Sequence, residues 1–212
     1  MRFFACLFIS LFALSAKGKP RVLFIGDSFT EHNHLLKKYG DVWAQSGRQT
    51  EWMKKTVKRK KNRLNRYDTV VLLGGINDIY SAKGPEKVKK NIDFIVSFAE
   101  GYGAKVVLCT IPQTDIKTIH KRLTKRWKKK NWDNGIYPYS PSELKVHFNE
   151  VNAHIRSFKK KNQDILVIDL HLIMGEYSDT YFVRGRDRLH PKPGKEGFDR
   201  MGTVIAGHLG LL

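Results

Sequence analysis

The chain predicts a three-layer α/β/α sandwich around a central parallel sheet of about five strands. Three observations carry this expectation. Short, near-continuous apolar runs recur along the sequence, amphipathic stretches separate them, and several of the runs stop at Gly, Asn, Asp or Pro. Strands buried on both faces read as unbroken apolar runs, and right-handed crossovers between them place helices on both sides of the sheet. In such sheets ligands bind outside the carboxyl ends of the strands.

Each element follows in order. RVLFIG (Arg21 to Gly26) is the first strand and LLKKYGD a short helix or turn. VWAQSG (Val42 to Gly47) is a candidate second strand. EWMKKTVKRKKNRLNRY is helical, with Trp52, Met53, Val57 and Leu64 on one side and a very basic opposite side; Thr50 can cap its free N–H groups. DTVVLLGG is the third strand, and KVKKNIDFIVSFAEGYG an amphipathic helix closed by glycine. AKVVLCTIP is the fourth strand, stopped by Pro112. A long basic and aromatic segment follows, QTDIKTIHKRLTKRWKKKNWDNGIYPYSPSE, with a Gly/Pro/Tyr-rich end. ELKVHFNEVNAHIRSFKKK is the next helix, DILVIDL the fifth strand, and a last helix runs roughly from Lys195 to Leu209.

Length, composition and charge bound the function. The 212 residues suit one compact domain, and 41% apolar content can build a core without disulfides or a metal. MRFFACLFISLFALSAKGKP has Arg2, an apolar run from Phe3 to Leu14 and small residues before Lys17. That is the layout of a secretory signal cleaved after Ala16, an uncleaved membrane anchor being the alternative; the run is short for a bilayer span. The expected organisation is a signal peptide over 1–16 and one domain over 17–212, secreted or periplasmic, with no transmembrane segment after cleavage. Cys109, inside KVVLCTIP, reads as a buried small hydrophobe. No Cys/His set has zinc spacing. With 39 Lys+Arg against 20 Asp+Glu the formal charge is +19, and only Arg2 leaves with the signal. Such a field attracts polyanions, acidic glycans and cell-envelope polymers before nucleic acid, although a merely solvated basic surface has the same composition.

Chemistry is suggested at three strand or loop ends. Ser28 follows Gly26-Asp27 just past the first strand, where a parallel sheet presents functional groups; as a helix cap it would look the same. A nucleophile needs a base, an orienter for the base and oxyanion donors. The third strand ends in Gly74-Gly75-Ile76-Asn77-Asp78, and Asn77 could donate an amide N–H over the same sheet edge, or form an ordinary turn. GRDRLHPKPGKEGF carries Asp187 and His190 three residues apart, close enough for a carboxylate to orient an imidazole, or else a surface loop with a chance pair. The other histidines (His32, His34, His120, His147, His154, His171, His208) have no comparable setting.

These three motifs, in this order, resemble the SGNH (GDSL-type) hydrolases, a family of esterases and lipases. The resemblance covers Arg21 to about Leu209. It implies the flavodoxin-like SGNH hydrolase fold, with Ser28 as nucleophile, His190 as general base, Asp187 as its partner and Asn77 as oxyanion donor. It also implies a glycine N–H after the second strand. Gly47 is the match, and Gly40, expected ahead of that strand, the competitor; the oxyanion hole would comprise Ser28, Gly47 and Asn77. Phe29 stands where the family name has Leu. No metal or organic cofactor is implied.

The basic runs are Lys58 to Arg63, Lys121 to Trp132 and Lys159 to Lys161. The second lies beyond a strand whose carboxyl end faces the expected site, with Trp127, Trp132, Tyr137 and Tyr139 in or near it. Aromatic faces stack on sugars and cations suit an acidic polymer, so these four are candidate substrate-binding residues; a solvated helix with core tryptophans is the alternative. The function expected is an exported serine esterase deacetylating an O-acetylated carbohydrate, acidic or neutral. A lipase, lysophospholipase or acyltransferase of the same fold, and a non-catalytic basic polyanion-binding module, are the alternatives.

Overall fold

The computed structural model describes residues 20–161, 164–175, 189–191 and 197–212. The expected signal peptide over 1–16 and Asp187 lie outside the described residues. Five parallel strands form the sheet among the described residues: β1 (Val22–Gly26), β2 (Gly40–Ala44), β3 (Thr69–Leu73), β4 (Lys105–Cys109) and β5 (Leu166–Ile168), in the order β2-β1-β3-β4-β5. Each apolar run named in the sequence supplies one strand. All five residues of β1 are buried, as a central strand covered on both faces must be. β2 is one edge, β5 the other: the residues of β2 are mostly half-buried and it begins at Gly40, two residues before the expected start. Gly40 therefore lies within the strand, and Gly47 lies in the turn beyond it.

The strand order fixes the layers. The chain steps from β1 outward to β2, then reverses past β1 to β3, β4 and β5. Right-handed crossovers put the connections made in one direction on one face and the reverse step on the other. α2 (Thr50–Arg59), α4 (Pro85–Glu100) and α6 (Pro141–Lys161) accordingly pack side by side, α2 against α4 and α4 against α6. On the other face the β1–β2 connection meets α8 (Phe198–His208), where Asn33 Nδ2 donates to the Phe198 carbonyl at 3.0 Å. The core between the layers includes Phe24, Ile25, Met53, Leu72, Ile92, Val107 and Ile205. Cys109 is part of it, and burial pushes its thiol up to about 12, so it stays an inert thiol.

Two local expectations change. The helix after Gly47 does not run unbroken to Tyr67: α2 ends at Arg59 and a 3₁₀ segment, Lys61–Arg66, completes it. The tighter turn carries Lys61, Arg63 and Arg66 while keeping Leu64 fully buried. Thr50 is the first helical residue, and its side chain does not cap. Its hydroxyl donates to Asp78 Oδ1 at 2.8 Å, its N–H donates to Asp78 Oδ2 at 2.8 Å, and Asn91 Nδ2 donates to Thr50 Oγ1 at 3.0 Å. This buried cluster clamps α2, α4 and the short α3 (Ile76–Tyr80) to one another.

At the end of β1 two residues set the turn. Gly26 is required by space: a Cβ there would lie 2.6 Å from the Leu73 carbonyl and 2.1 Å from Thr30 Oγ1. Asp27, fully buried, caps α1 (Ser28–Glu31), its Oδ1 accepting from Phe29 N–H at 3.0 Å. Burial raises its pKa to about 7, against the lowering from the Phe29 N–H, while the nearby Asp78 raises it further.

Both observations predict stability. Gly26→Ala should cost about 1–3 kcal/mol by overpacking against fixed backbone, read from the urea midpoint. The folded pKa of Asp27 exceeds its unfolded value of 3.8, so the native state keeps a proton that the unfolded chain releases between pH 3.8 and about 7. Its contribution to stability therefore falls as pH rises through that window, by at most about 1.4 kcal/mol per pH unit. Melting curves of the wild type and Asp27→Asn from pH 4 to 8 should show the wild type losing more stability with rising pH.

Candidate active site

The carboxyl ends of β1 and β3 adjoin where the strand order reverses. Chain leaving β1 turns toward β2 while chain leaving β3 turns the other way, and a crevice opens between them. Ser28 enters this crevice from the first turn of α1, 3% exposed. His190 reaches it from the far end of the sequence, with Nε2 2.6 Å from Ser28 Oγ. When the imidazole carries its proton on Nδ1, Nε2 accepts from the Ser28 hydroxyl. The ring is held by aromatic neighbours: Phe29 at 5.6 Å, the edge of His32 at 6.0 Å, and Phe198, nearly parallel, at 6.5 Å between centroids.

Asn77 projects from the first turn of α3 into the same crevice. Its Nδ2 donates to Asp27 Oδ2 at 3.2 Å and to the Arg48 carbonyl at 3.1 Å. Asp27 Oδ2 and the Arg48 carbonyl both accept from Nδ2, which fixes the orientation of the amide. Both amide hydrogens are thus engaged, and donation to an oxyanion requires the bond to the Arg48 carbonyl to be shared or released. Gly47 neighbours Arg48 in the same turn, with a φ of +74° that favours glycine, and no side chain crowds its Cα.

The turn is braced by residues that the sequence gave no reason to select. Glu31 accepts from Ser46 N–H at 2.7 Å and from the Ser46 hydroxyl, which hold its carboxyl below the usual range. Having donated to Glu31, the Ser46 hydroxyl accepts from His32 Nε2 at 2.9 Å. The helix that carries Ser28 therefore also anchors the turn that carries Gly47. Nothing in the spacing of Glu31, His32 and Ser46 announces this, because the strand between them makes them neighbours. The other histidines lie elsewhere; His154 Nε2 pairs with Asp93 Oδ1 at 2.7 Å on the helical face, and His208 Nδ1 donates to the Val204 carbonyl at 2.7 Å.

A cavity of about 850 Å³ lies next to this centre. Gly47, Asn77 and Leu189 line its near end, and α5 (Ile116–Lys130) with the 3₁₀ segment Trp132–Gly135 forms the opposite wall. Trp127 and Trp132 are part of that wall, packed edge to face at 4.8 Å; Trp127 is nearly buried and Trp132 is 42% exposed. Tyr137 and Tyr139 are not among the lining residues. Tyr137 is buried behind Trp127 at 4.9 Å, and Tyr139 packs on His147 at 4.4 Å, so their rings support the wall and do not face the cavity. Arg122 and Arg126 line it instead. Their spacing was readable in the sequence, but the uniform basicity of the run hid which cations face inward.

Among the described residues no cluster of three or more His, Cys, Asp or Glu is placed to hold a metal ion, and no helix is long and apolar enough to cross a membrane.

Comparison with known proteins places this arrangement. The model of the GDSL-like lipase/acylhydrolase family matches residues 24–194. No curated protein sequence matches the chain. A GDSL-like lipase from Bacteroides thetaiotaomicron superposes with a TM-score of 0.65 at 21% identity, over 91% of this chain and 88% of that one. A lipase/acylhydrolase from Enterococcus faecalis gives 0.61 at 17% identity, over 89% and 95%. The C-terminal catalytic domain of a Streptococcus pneumoniae peptidoglycan O-acetyltransferase gives 0.60 at 18% identity, over 90% of each. The match across most of the chain and the shared fold make this protein a member of the GDSL-like lipase/acylhydrolase family, an ester hydrolase of the SGNH fold.

Proposed function

We propose that the protein is an exported serine esterase that removes acetyl groups from an O-acetylated, acidic carbohydrate. The observation that carries the catalytic part is the 2.6 Å contact between His190 Nε2 and Ser28 Oγ. In this reading His190 takes the Ser28 proton as the oxygen attacks the ester carbonyl. The tetrahedral oxyanion is met by the N–H groups of Ser28 and Gly47 and by Asn77 Nδ2, released from the Arg48 carbonyl. His190 returns the proton to the leaving alcohol, and water repeats the sequence on the acyl-enzyme. Asp187, three residues before His190, orients the imidazole and stabilises its charged form.

The carbohydrate part rests on the cavity. Its volume is in the range of small-ligand sites, and Trp127 and Trp132 furnish its outer wall. Ser28 itself is buried, which suits a short acyl group better than a long chain. One structural neighbour is a catalytic domain that acetylates peptidoglycan, which supports a glycan as the alcohol component. Export follows from the N-terminal layout of Arg2, apolar run and small residues.

The test is hydrolysis of p-nitrophenyl esters of increasing acyl length, followed by acetate release from acetylated glycans. Turnover should be highest for acetate and fall as the chain lengthens. Ser28→Ala should abolish it, whereas Asn77→Ala should lower kcat by about 10²–10³ and leave the protein folded. Preference for long acyl chains would replace the carbohydrate reading with a lipase. Full turnover by Ser28→Ala would remove the mechanism.

A further inference from the structure

The wall of α5 carries charge as well as aromatic surface. Its apolar stripe, Ile119, Leu123 and Trp127, is buried against the domain. Arg122 and Arg126 lie one residue ahead of Leu123 and Trp127, four residues apart, so they project side by side along the edge of that stripe into the cavity. The Arg126 guanidinium lies 5.5 Å over the Trp132 ring, which pre-orients its planar fork. Lys83 lines the cavity from the loop after α3. None of the three cations has an ion-pair partner among the described residues. Asp133, the acidic side chain among the described lining residues, is engaged with Trp127, whose Nε1 donates to Asp133 Oδ2 at 3.1 Å. Among the described lining residues the cavity thus gathers three cations against one carboxylate.

The backbone beside these cations takes left-handed conformations. Asn131, Asp133 and Asn134 around Trp132 have φ of +51°, +45° and +57°, which Asn and Asp tolerate, Asn131 as the C-cap of α5. Ala82, beside Lys83, has a φ of +55°, which for alanine the surrounding structure must enforce.

We propose that Arg122, Arg126 and Lys83 form an anion subsite that takes a carboxylate-bearing sugar unit of the substrate, while the acylated unit of the same glycan occupies Ser28. This rests on the carbohydrate-esterase reading above and adds to it the position and chemistry of the selective contact. Two guanidinium forks and an ammonium suit a carboxylate, which accepts bidentate hydrogen bonds from arginine. The cavity joins this charged end to the Gly47 and Asn77 end, so one oligosaccharide can occupy both.

The experiment measures binding to the full-length Ser28→Ala protein, so that turnover does not enter. The probes are hexagalacturonate, neutral chitohexaose and phosphatidylglycerol vesicles, at low and high salt. The variants are R122Q/R126Q and, as a matched loss of charge far from the cavity, K159Q/K160Q; thermal melting establishes that each is folded. Hexagalacturonate should bind, and weaken with salt, while chitohexaose binds at least about tenfold more weakly. R122Q/R126Q should weaken hexagalacturonate binding by about tenfold or more, and K159Q/K160Q by less than about twofold. Equal losses in the two pairs, equal binding of the acidic and neutral oligomers, or arginine-dependent capture of vesicles without hexagalacturonate binding would each overturn the subsite. Acetate release from acetylated xylan by the wild-type chain reports separately on the esterase reading. Loss of hexagalacturonate binding with that release intact therefore overturns the subsite alone.

Discussion

One hydrogen bond spans almost the whole molecule: Ser28 and His190, 162 positions apart, meet at 2.6 Å. No local preference can bring such groups together. The sheet does, because its reversal between β1 and β3 leaves a crevice at the strand ends and places the β1–β2 connection and α8 on the same face. Asn33, which follows α1, is hydrogen-bonded to the first residue of α8, so the helix carrying Ser28 and the segment carrying His190 are tied to each other as well as to the sheet. A domain that lost this tie would keep its core and separate its functional groups.

Around that contact the polar groups are arranged before any substrate arrives. Asp27 caps α1 through one oxygen and holds Asn77 through the other. Asp78, the next residue, anchors the start of α2 through Thr50, and Glu31 anchors the turn of Gly47 through Ser46. Three carboxyl groups thus fix three backbone segments near the Ser28–His190 contact, which is what low reorganisation during reaction requires. Burial raises the pKa of Asp27 and Asp78, with the opposing hydrogen bonds insufficient to offset it.

The central strands were legible because VLFIG, TVVLL and KVVLC are unbroken apolar runs, and the runs end where glycine or threonine begins the functional loops. The edge strand was less so. GDVWA is mostly half-buried, carries the exposed Asp41, and shifts the expected start by two residues, bringing Gly40 into the strand. Ser28, Asn77 and His190 could be picked out because each sits beside a strand end or in an unusual loop. The brace formed by Glu31, His32 and Ser46 could not, since it depends on register between segments that the sequence lists apart. Thr50 shows the same limit: a residue type suited to capping binds a carboxylate instead, because Asp78 is delivered to it by β3. The inward and outward cations of α5 are indistinguishable until Leu123 and Trp127 are known to be the buried face.

The α5 wall shares one cavity with Gly47 and Asn77, next to the Ser28–His190 contact, so the chemistry at that contact decides whether the rest is a substrate site. The most direct measurement is reaction of the intact protein with a fluorophosphonate, followed by mass spectrometry of the labelled peptide. The account predicts a single adduct on Ser28, formed with loss of fluoride and slowed by several orders of magnitude in His190→Ala. An adduct on another residue, or esterase activity that survives with Ser28 unlabelled, would contradict it.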